Sequence, residues 1–313
     1  MTIRSASDRR SDAKRVALAT VLVTALASGC NQGASRATGA AHTPGLKRPI
    51  SASPLSTGTP PVQTSTASVS ATELSQSFAS LTQRLGGSIG LAYAPLGRAK
   101  PATSLGDLRA GVGWSTMKVP VAIAMVTKAE GHLSRNTSRL IRRAITESDN
   151  RAAMALWSRL GSPTAAAAQT QAVLRAGGDT TTVVPSRRLR PQYSPFGQAN
   201  WSLAAQATFA ASLSCTSRTG QVLTMMSQVT ARQRWGIGTL SATVAFKGGW
   251  GPGKNGAYLV RQMAVVRLAD GSRIGLAIAA LPAGGRFDTG VADLDAVARW
   301  FAAHIHSGGA HRC

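Results

Sequence analysis

Acidic residues are scarce in this chain, with 12 Asp and Glu against 35 Lys and Arg in 313 residues and a formal charge of +23. Only three are glutamates, Glu73, Glu130 and Glu147, so no glutamate base can come from the second half of the sequence. Histidine is nearly as sparse: His42 falls in a polar tether-like segment, His132 follows a helix-ending glycine, and His304, His306 and His311 lie at the tail. That distribution argues against a Ser/His/Asp triad. The terminal histidines and Cys313 read better as a frayed basic end than as a metal site, and neither metal nor cofactor is expected. There are three cysteines, of which Cys215 and Cys313 could pair outside the cytoplasm, although sequence alone cannot bring their Cα atoms within bridging distance. The uncharged apolar run from Val16 to Ala27 is too short to span a bilayer as a helix.

What the N-terminal end does contain is an export pattern. Five cations, Arg4, Arg9, Arg10, Lys14 and Arg15, precede the apolar run, and small residues follow it up to Cys30. Leu26-Ala27-Ser28-Gly29-Cys30 resembles a bacterial lipobox, apart from Ala27 where that motif usually has Leu. The resemblance implies cleavage after residue 29, acylation of Cys30 and a membrane anchor on the extracytoplasmic face; an ordinary small-residue cleavage site with simple secretion is the alternative. Residues 31–72 are Ala, Ser, Thr, Gly and Pro with few charges, a composition that cannot bury a core and reads as a tether. The folded part is expected over residues 73–307, with 308–313 as a tail. Loss of residues 1–29 would take five of the 35 cations and two of the 12 anions, leaving a net charge of +20. An exported basic surface meets lipid headgroups and anionic envelope polymers rather than nucleic acid; general solubility is an equal reading of the same charge.

Helical spacing is evident over Ala71 to Leu85, ending at Gly86-Gly87, and a strand follows over Ser88 to Ala94. Val119 to Ala129 is apolar nearly all round and predicts a buried helix with Ser115 at or just inside its N-terminus. Helices are expected from about Ser138 to Cys215, including Arg151 to Leu160 and Thr164 to Ala176, interrupted by a basic loop from Thr180 to Ala199. Thr243 to Phe246, Tyr258 to Leu268 and Arg273 to Leu281 read as strands, the last two joined by a turn at Asp270-Gly271. Val291 to Ile305 closes the chain as an amphipathic helix. This order predicts an α+β fold, an antiparallel sheet flanked by helices with an inserted all-helical lobe, and an active site in the cleft between them.

Three motifs carry the chemistry: Ser115-Thr116-Met117-Lys118, Ser148-Asp149-Asn150 and Lys247-Gly248-Gly249. The first type should arise by chance roughly 0.7 times in such a composition, the second only about 0.015 times. Ser and Lys three apart on a helix share a face, so the Lys118 amine can lie beside the Ser115 hydroxyl. It can take the serine proton only if burial or a second cation keeps it neutral, and Lys247 is a candidate for that cation. Ser148 can relay a proton. Asn150 can bond Lys118 and a substrate amide, and would also serve as a helix N-cap.

At these residues the chain resembles the penicillin-recognising serine hydrolases, most closely class A β-lactamases and low-molecular-mass penicillin-binding proteins. Arg234-Trp235-Gly236-Ile237-Gly238, ahead of the Lys247 strand, adds to the likeness. The resemblance implies acylation of Ser115 by a β-lactam or a D-alanyl peptide of peptidoglycan, with Lys118 and Ser148 handling protons. It implies Lys247 near the substrate carboxylate, and an oxyanion hole formed by the backbone N–H groups of Ser115 and Trp250. Two departures stand out. Gly248 replaces the family's hydroxyl residue, for which Arg261 could compensate as a carboxylate partner; a solvent-facing strand position is the rival reading of Arg261. Counting from Gly178-Asp179 to the place of the class A deacylating glutamate reaches Arg188. Acylation without efficient turnover is therefore expected, because such a base is worth about 10²- to 10⁴-fold. Three functions follow: a β-lactamase with another deacylation route, a slow D,D-peptidase-like penicillin-binding protein, or a catalytically weak wall- or membrane-binding lipoprotein.

Overall fold

The computed structural model describes residues 70–96, 101–240, 244–307 and 313. The expected signal peptide, Cys30 and nearly all of the tether lie outside these residues. The first helix, α1 (Ala71–Leu85), takes its cap from Ser70, whose hydroxyl accepts from Glu73 N while the Glu73 carboxylate accepts from Ser70 N. The folded part thus begins slightly before residue 73. Leu74, Phe78 and Leu81 form its buried stripe.

Next come strands β1 (Ser88–Pro95), β2 (Thr103–Gly106) and β3 (Ala110–Val112), then a 3₁₀ turn, Trp114–Met117. A helical lobe follows with α2 (Lys118–Lys128), α3 (Arg135–Thr146), α4 (Asn150–Arg159) and α5 (Pro163–Ala176). Beyond the loop come β4 (Asn200–Ser202), α6 (Leu203–Ser212) and α7 (Gly220–Ser227), then β5 (Val244–Pro252), β6 (Tyr258–Arg267), β7 (Arg273–Leu281) and α8 (Phe287–His304). The strands β1, β2, β5, β6 and β7 make an antiparallel sheet in the order β2-β1-β7-β6-β5, and β3 pairs with β4 as a separate two-stranded ribbon.

β6 and β7 are buried on both faces, which explains their nearly unbroken apolar sequence. One face packs with α1 and α8 around Phe78, Phe246, Leu294 and Phe301; α6 covers the other through Leu203, Ala207 and Ala211. A further core fills the helical lobe around α2, whose residues are buried continuously from Lys118 to Val126. The fold is therefore the α+β arrangement expected, a flanked antiparallel sheet with a helical lobe.

Local differences from the sequence reading have physical causes. β5 runs on through Lys247-Gly248-Gly249-Trp250, so Lys247 sits within its strand rather than at the end. Glycine is a poor strand former, but β5 passes so close to the Trp114–Met117 turn that a Cβ on Gly249 would lie 2.8 Å from Ser115 N, and one on Gly251 2.7 Å from the Trp114 ring. β2 and the β3–β4 ribbon were not legible because each strand is short and held by its pairing, and α7 because it is only eight residues long. Ser115 lies on the 3₁₀ turn that leads into α2, not within the α-helix. Cys215 and Cys313 form a disulfide, with Cα atoms 5.1 Å apart. Among the described residues no helix is long and apolar enough to cross a membrane.

Candidate active site

The edge strand β5, the Trp114–Met117 turn and the α3–α4 connection meet at one cleft of about 590 Å³. Ser115 and Ser148 line it together with Asn150 and Trp250. Two of its residues or their neighbours hold strained backbone: Trp114 has φ 48° and Ser148 φ 59°, and among the described residues only one other non-glycine, Glu130, has a positive φ. Left-handed conformations at such side chains cost energy and persist where the surroundings over-determine them.

Both site lysines are buried, Lys118 2 % exposed and Lys247 fully enclosed. Lys118 Nζ donates to Asn150 Oδ1 at 2.7 Å, to Ser148 Oγ at 3.2 Å and to the Ser148 carbonyl. Lys247 Nζ donates to the same Ser148 Oγ at 2.9 Å and to Gly248 O at 2.9 Å. One hydroxyl oxygen thus bridges two amines. Burial draws the Lys118 ammonium down to about 7, partly opposed by the Asp149 charge. Burial, and then the neighbouring Lys118, hold Lys247 well below the ordinary lysine range. An amine near neutrality is able to accept a proton, which an exposed lysine at physiological pH is not.

The helix-cap role expected of Asn150 belongs to Asp149. The Asp149 side chain accepts from Ala152 N at 2.9 Å and pairs with Arg143, while Asn150 is the first residue of α4. Hydrogen bonds from Ala152 N and the Arg143 charge keep the Asp149 carboxyl below its usual range. This division frees the Asn150 amide oxygen for Lys118 and leaves its NH₂ group to donate elsewhere.

Arg261 requires a correction. It is neither solvent-facing nor in the cleft: it is fully buried, its guanidinium donating to the Gly111, Val112 and Trp201 carbonyls and to Gln206 Oε1 at distances of 2.7–3.2 Å. Burial lowers its pKa to about 9. A group committed to four internal acceptors cannot also reach a substrate carboxylate.

Gly248 has a physical reason: a Cβ there would lie 3.3 Å from the Trp235 ring, which fills the space a threonine would need. Trp235, Trp250 and Phe287 pack in mutual contact with ring centroids 5.5–6.3 Å apart and line the cleft. Sequence reasoning missed the remaining charged wall of the cleft, formed by Glu147, Arg232 and Asp288. Glu147 was within reach as the residue preceding Ser148, whereas no spacing marks Arg232 or Asp288. Arg188 stands away from the site, exposed and donating to Pro191 O at 2.6 Å within its own loop. That loop carries no acidic residue from Thr180 to Ala199. It is secured instead by Arg190, which donates to Pro252 O at 2.6 Å and lies over the Tyr193 ring at 4.4 Å. Cys313 is engaged in the disulfide, and His304 bonds Ser77 at 2.9 Å.

No protein-family model matches the chain, and no curated protein matches it in sequence. Its fold nevertheless matches solved structures over most of its described length. A β-lactamase from Burkholderia vietnamiensis aligns with TM-score 0.58 and 18% identity, covering 74% of this chain and 95% of that one. A β-lactamase from Chitinophaga pinensis aligns with TM-score 0.60 and 16% identity over 74% and 98%. The TLA-3 extended-spectrum β-lactamase aligns with TM-score 0.61 and 13% identity over 75% and 99%. The chain therefore shares the fold of these β-lactamases.

Proposed function

We propose that the protein is a serine hydrolase of the β-lactamase and penicillin-binding type that forms an acyl-enzyme on Ser115 with β-lactams or D-alanyl peptides and releases it slowly. The observation that carries the reading is the Ser148 hydroxyl held between two desolvated lysines, in the cleft that Ser115 also lines. Neutral Lys118 takes the Ser115 proton as Oγ bonds the substrate carbonyl carbon, and the carbonyl pair moves onto oxygen. The N–H groups of Ser115 and Trp250 receive that oxyanion. When the tetrahedral adduct collapses, the C–N bond breaks. Its nitrogen takes a proton delivered from the Lys118 ammonium through the Ser148 hydroxyl, leaving a serine ester and a free amine.

Asn150 supports the substrate amide. With Arg261 withdrawn, the cation on the cleft wall that can meet a substrate carboxylate is the exposed Arg232, and the enclosed Lys247 serves through Ser148. Slow release follows from the loop of residues 180–199, which offers no carboxylate to activate water. The domain acts outside the cytoplasm, anchored through Cys30 in its membrane, and the Cys215–Cys313 bridge supports an oxidising compartment.

A fluorescent penicillin tests the proposal. The protein lacking residues 1–29 should carry a covalent label that survives denaturation and persists for many minutes, and Ser115→Ala should carry none. Equal labelling of Ser115→Ala would move the nucleophile elsewhere, and rapid release of hydrolysed product would replace slow turnover with β-lactamase activity.

A further inference from the structure

Gly249 and Arg261 are direct partners across the β5–β6 ladder, and both meet the segment that carries Ser115. Gly249 does so by lacking a side chain, since its Cβ would press on the amides of Ser115 and Thr116 at 2.8 and 2.9 Å. Arg261 does so with its guanidinium. Its NH1 group donates to the carbonyls of Gly111 at 2.8 Å and Val112 at 3.2 Å, the two residues before Gly113. Both terminal nitrogens donate to Trp201 O on the partner strand of the ribbon, and NH2 donates to Gln206 Oε1 at 2.7 Å. Gln206 in turn donates to Thr116 Oγ1 at 3.0 Å, and Thr116 Oγ1 donates to Gly113 O. The carbonyls of residues 111, 112 and 113 are therefore all held, immediately before the left-handed Trp114 and the nucleophile.

We propose that Arg261 is a positioning residue for Ser115: through the ribbon carbonyls and the Gln206–Thr116 relay it holds the strained turn against β5. Among the described residues no carboxylate bonds this buried cation, and each of its four acceptors is neutral. Burying an unpaired guanidinium is costly, and an aliphatic side chain would fill the same volume without that cost. What the fork supplies is direction. It fixes two strands and a helix to the segment of residues 111–116, whose Trp114 conformation needs surroundings that over-determine it. Displacing a nucleophile by about 1 Å can cost on the order of 10²-fold in rate.

The inference rests on Ser115 being the acylated residue, so the test pairs two readouts. Arg261→Lys, Gln206→Leu, Thr116→Val and Thr116→Ser are compared for the limiting rate of fluorescent-penicillin labelling, the non-covalent dissociation constant, and amide hydrogen exchange of the peptide spanning residues 109–118. Gln206→Leu and Thr116→Val keep the buried arginine, so they report even where Arg261→Lys does not fold. The expected result is a limiting rate lowered by about 10- to 100-fold, an unchanged dissociation constant, an unshifted pH midpoint and faster exchange, with Thr116→Ser close to wild type. Folded Gln206→Leu and Thr116→Val proteins that label at the wild-type rate overturn the positioning role, whatever their exchange. Wild-type protein that never labels, yet shows the exchange difference, removes the acyl-enzyme reading and supports the network's hold on the turn.

Discussion

Ser148 has more partners at the site than its motif suggests. Its oxygen accepts from both Lys118 and Lys247, and its backbone pays for that placement with a positive φ. Because burial brings Lys118 to about 7, its proton-accepting form dominates only above that value. The sign follows: below pH 7 the ammonium form accumulates and acylation of Ser115 slows about tenfold per unit, while above pH 7 the rate levels off. Labelling rates measured from pH 5.5 to 9 should trace that limb, and Lys118→Ala should abolish labelling throughout. A rate independent of pH across this range would remove Lys118 as the base. The three motifs were legible because their members are close in sequence and chemically distinctive. The burial of Arg261 was not, since its acceptors stand some 55 to 150 residues away.

At the scale of elements, the helix beginnings follow local rules that sequence carries well. Ser70, Ser134, Asp149, Ser162 and Ser202 each accept a backbone N–H at the start of a helix. Asp149 matters most, because it caps α4 and so leaves Asn150 to Lys118. Asp149→Ala should lower stability to urea by about 1 kcal/mol from the lost cap. The same substitution should slow labelling more than a cap replacement at the remote Ser162 does, as α4 loosens its hold on Asn150. Equal labelling rates for the two variants would separate the cap from the site. β5 breaks the local rules instead: its three glycines oppose strand propensity, and they are explained by the closeness of Trp235, Ser115 and Trp114.

The whole molecule is held by packing that no single element contains. α6 joins the sheet to the helical lobe, and the Cys215–Cys313 bridge ties the chain's end to the segment just after α6, across a sequence separation of 98. Closing a loop of that length restricts the unfolded chain, so Cys313→Ser should lower unfolding free energy by about 2–4 kcal/mol. Urea unfolding with and without reductant reads this directly: the wild type should fall to the variant's midpoint when reduced, and the variant should not move. Identical midpoints for oxidised wild type and variant would show that the bridge contributes nothing to stability.

The amino-acid sequence by itself determined the fold class, the capped helices, the β6–β7 hairpin and the residue types of the site, because periodicity, caps and turns act over a few positions. Tertiary structure alone decided that one serine hydroxyl would serve two lysines and that the Asn150 amide oxygen would meet Lys118. It also withdrew Arg261 from the cleft and joined Cys215 to Cys313. Each of these depends on burial or on contact between distant segments, and desolvation and hydrogen-bond geometry are set only once the lobes have packed.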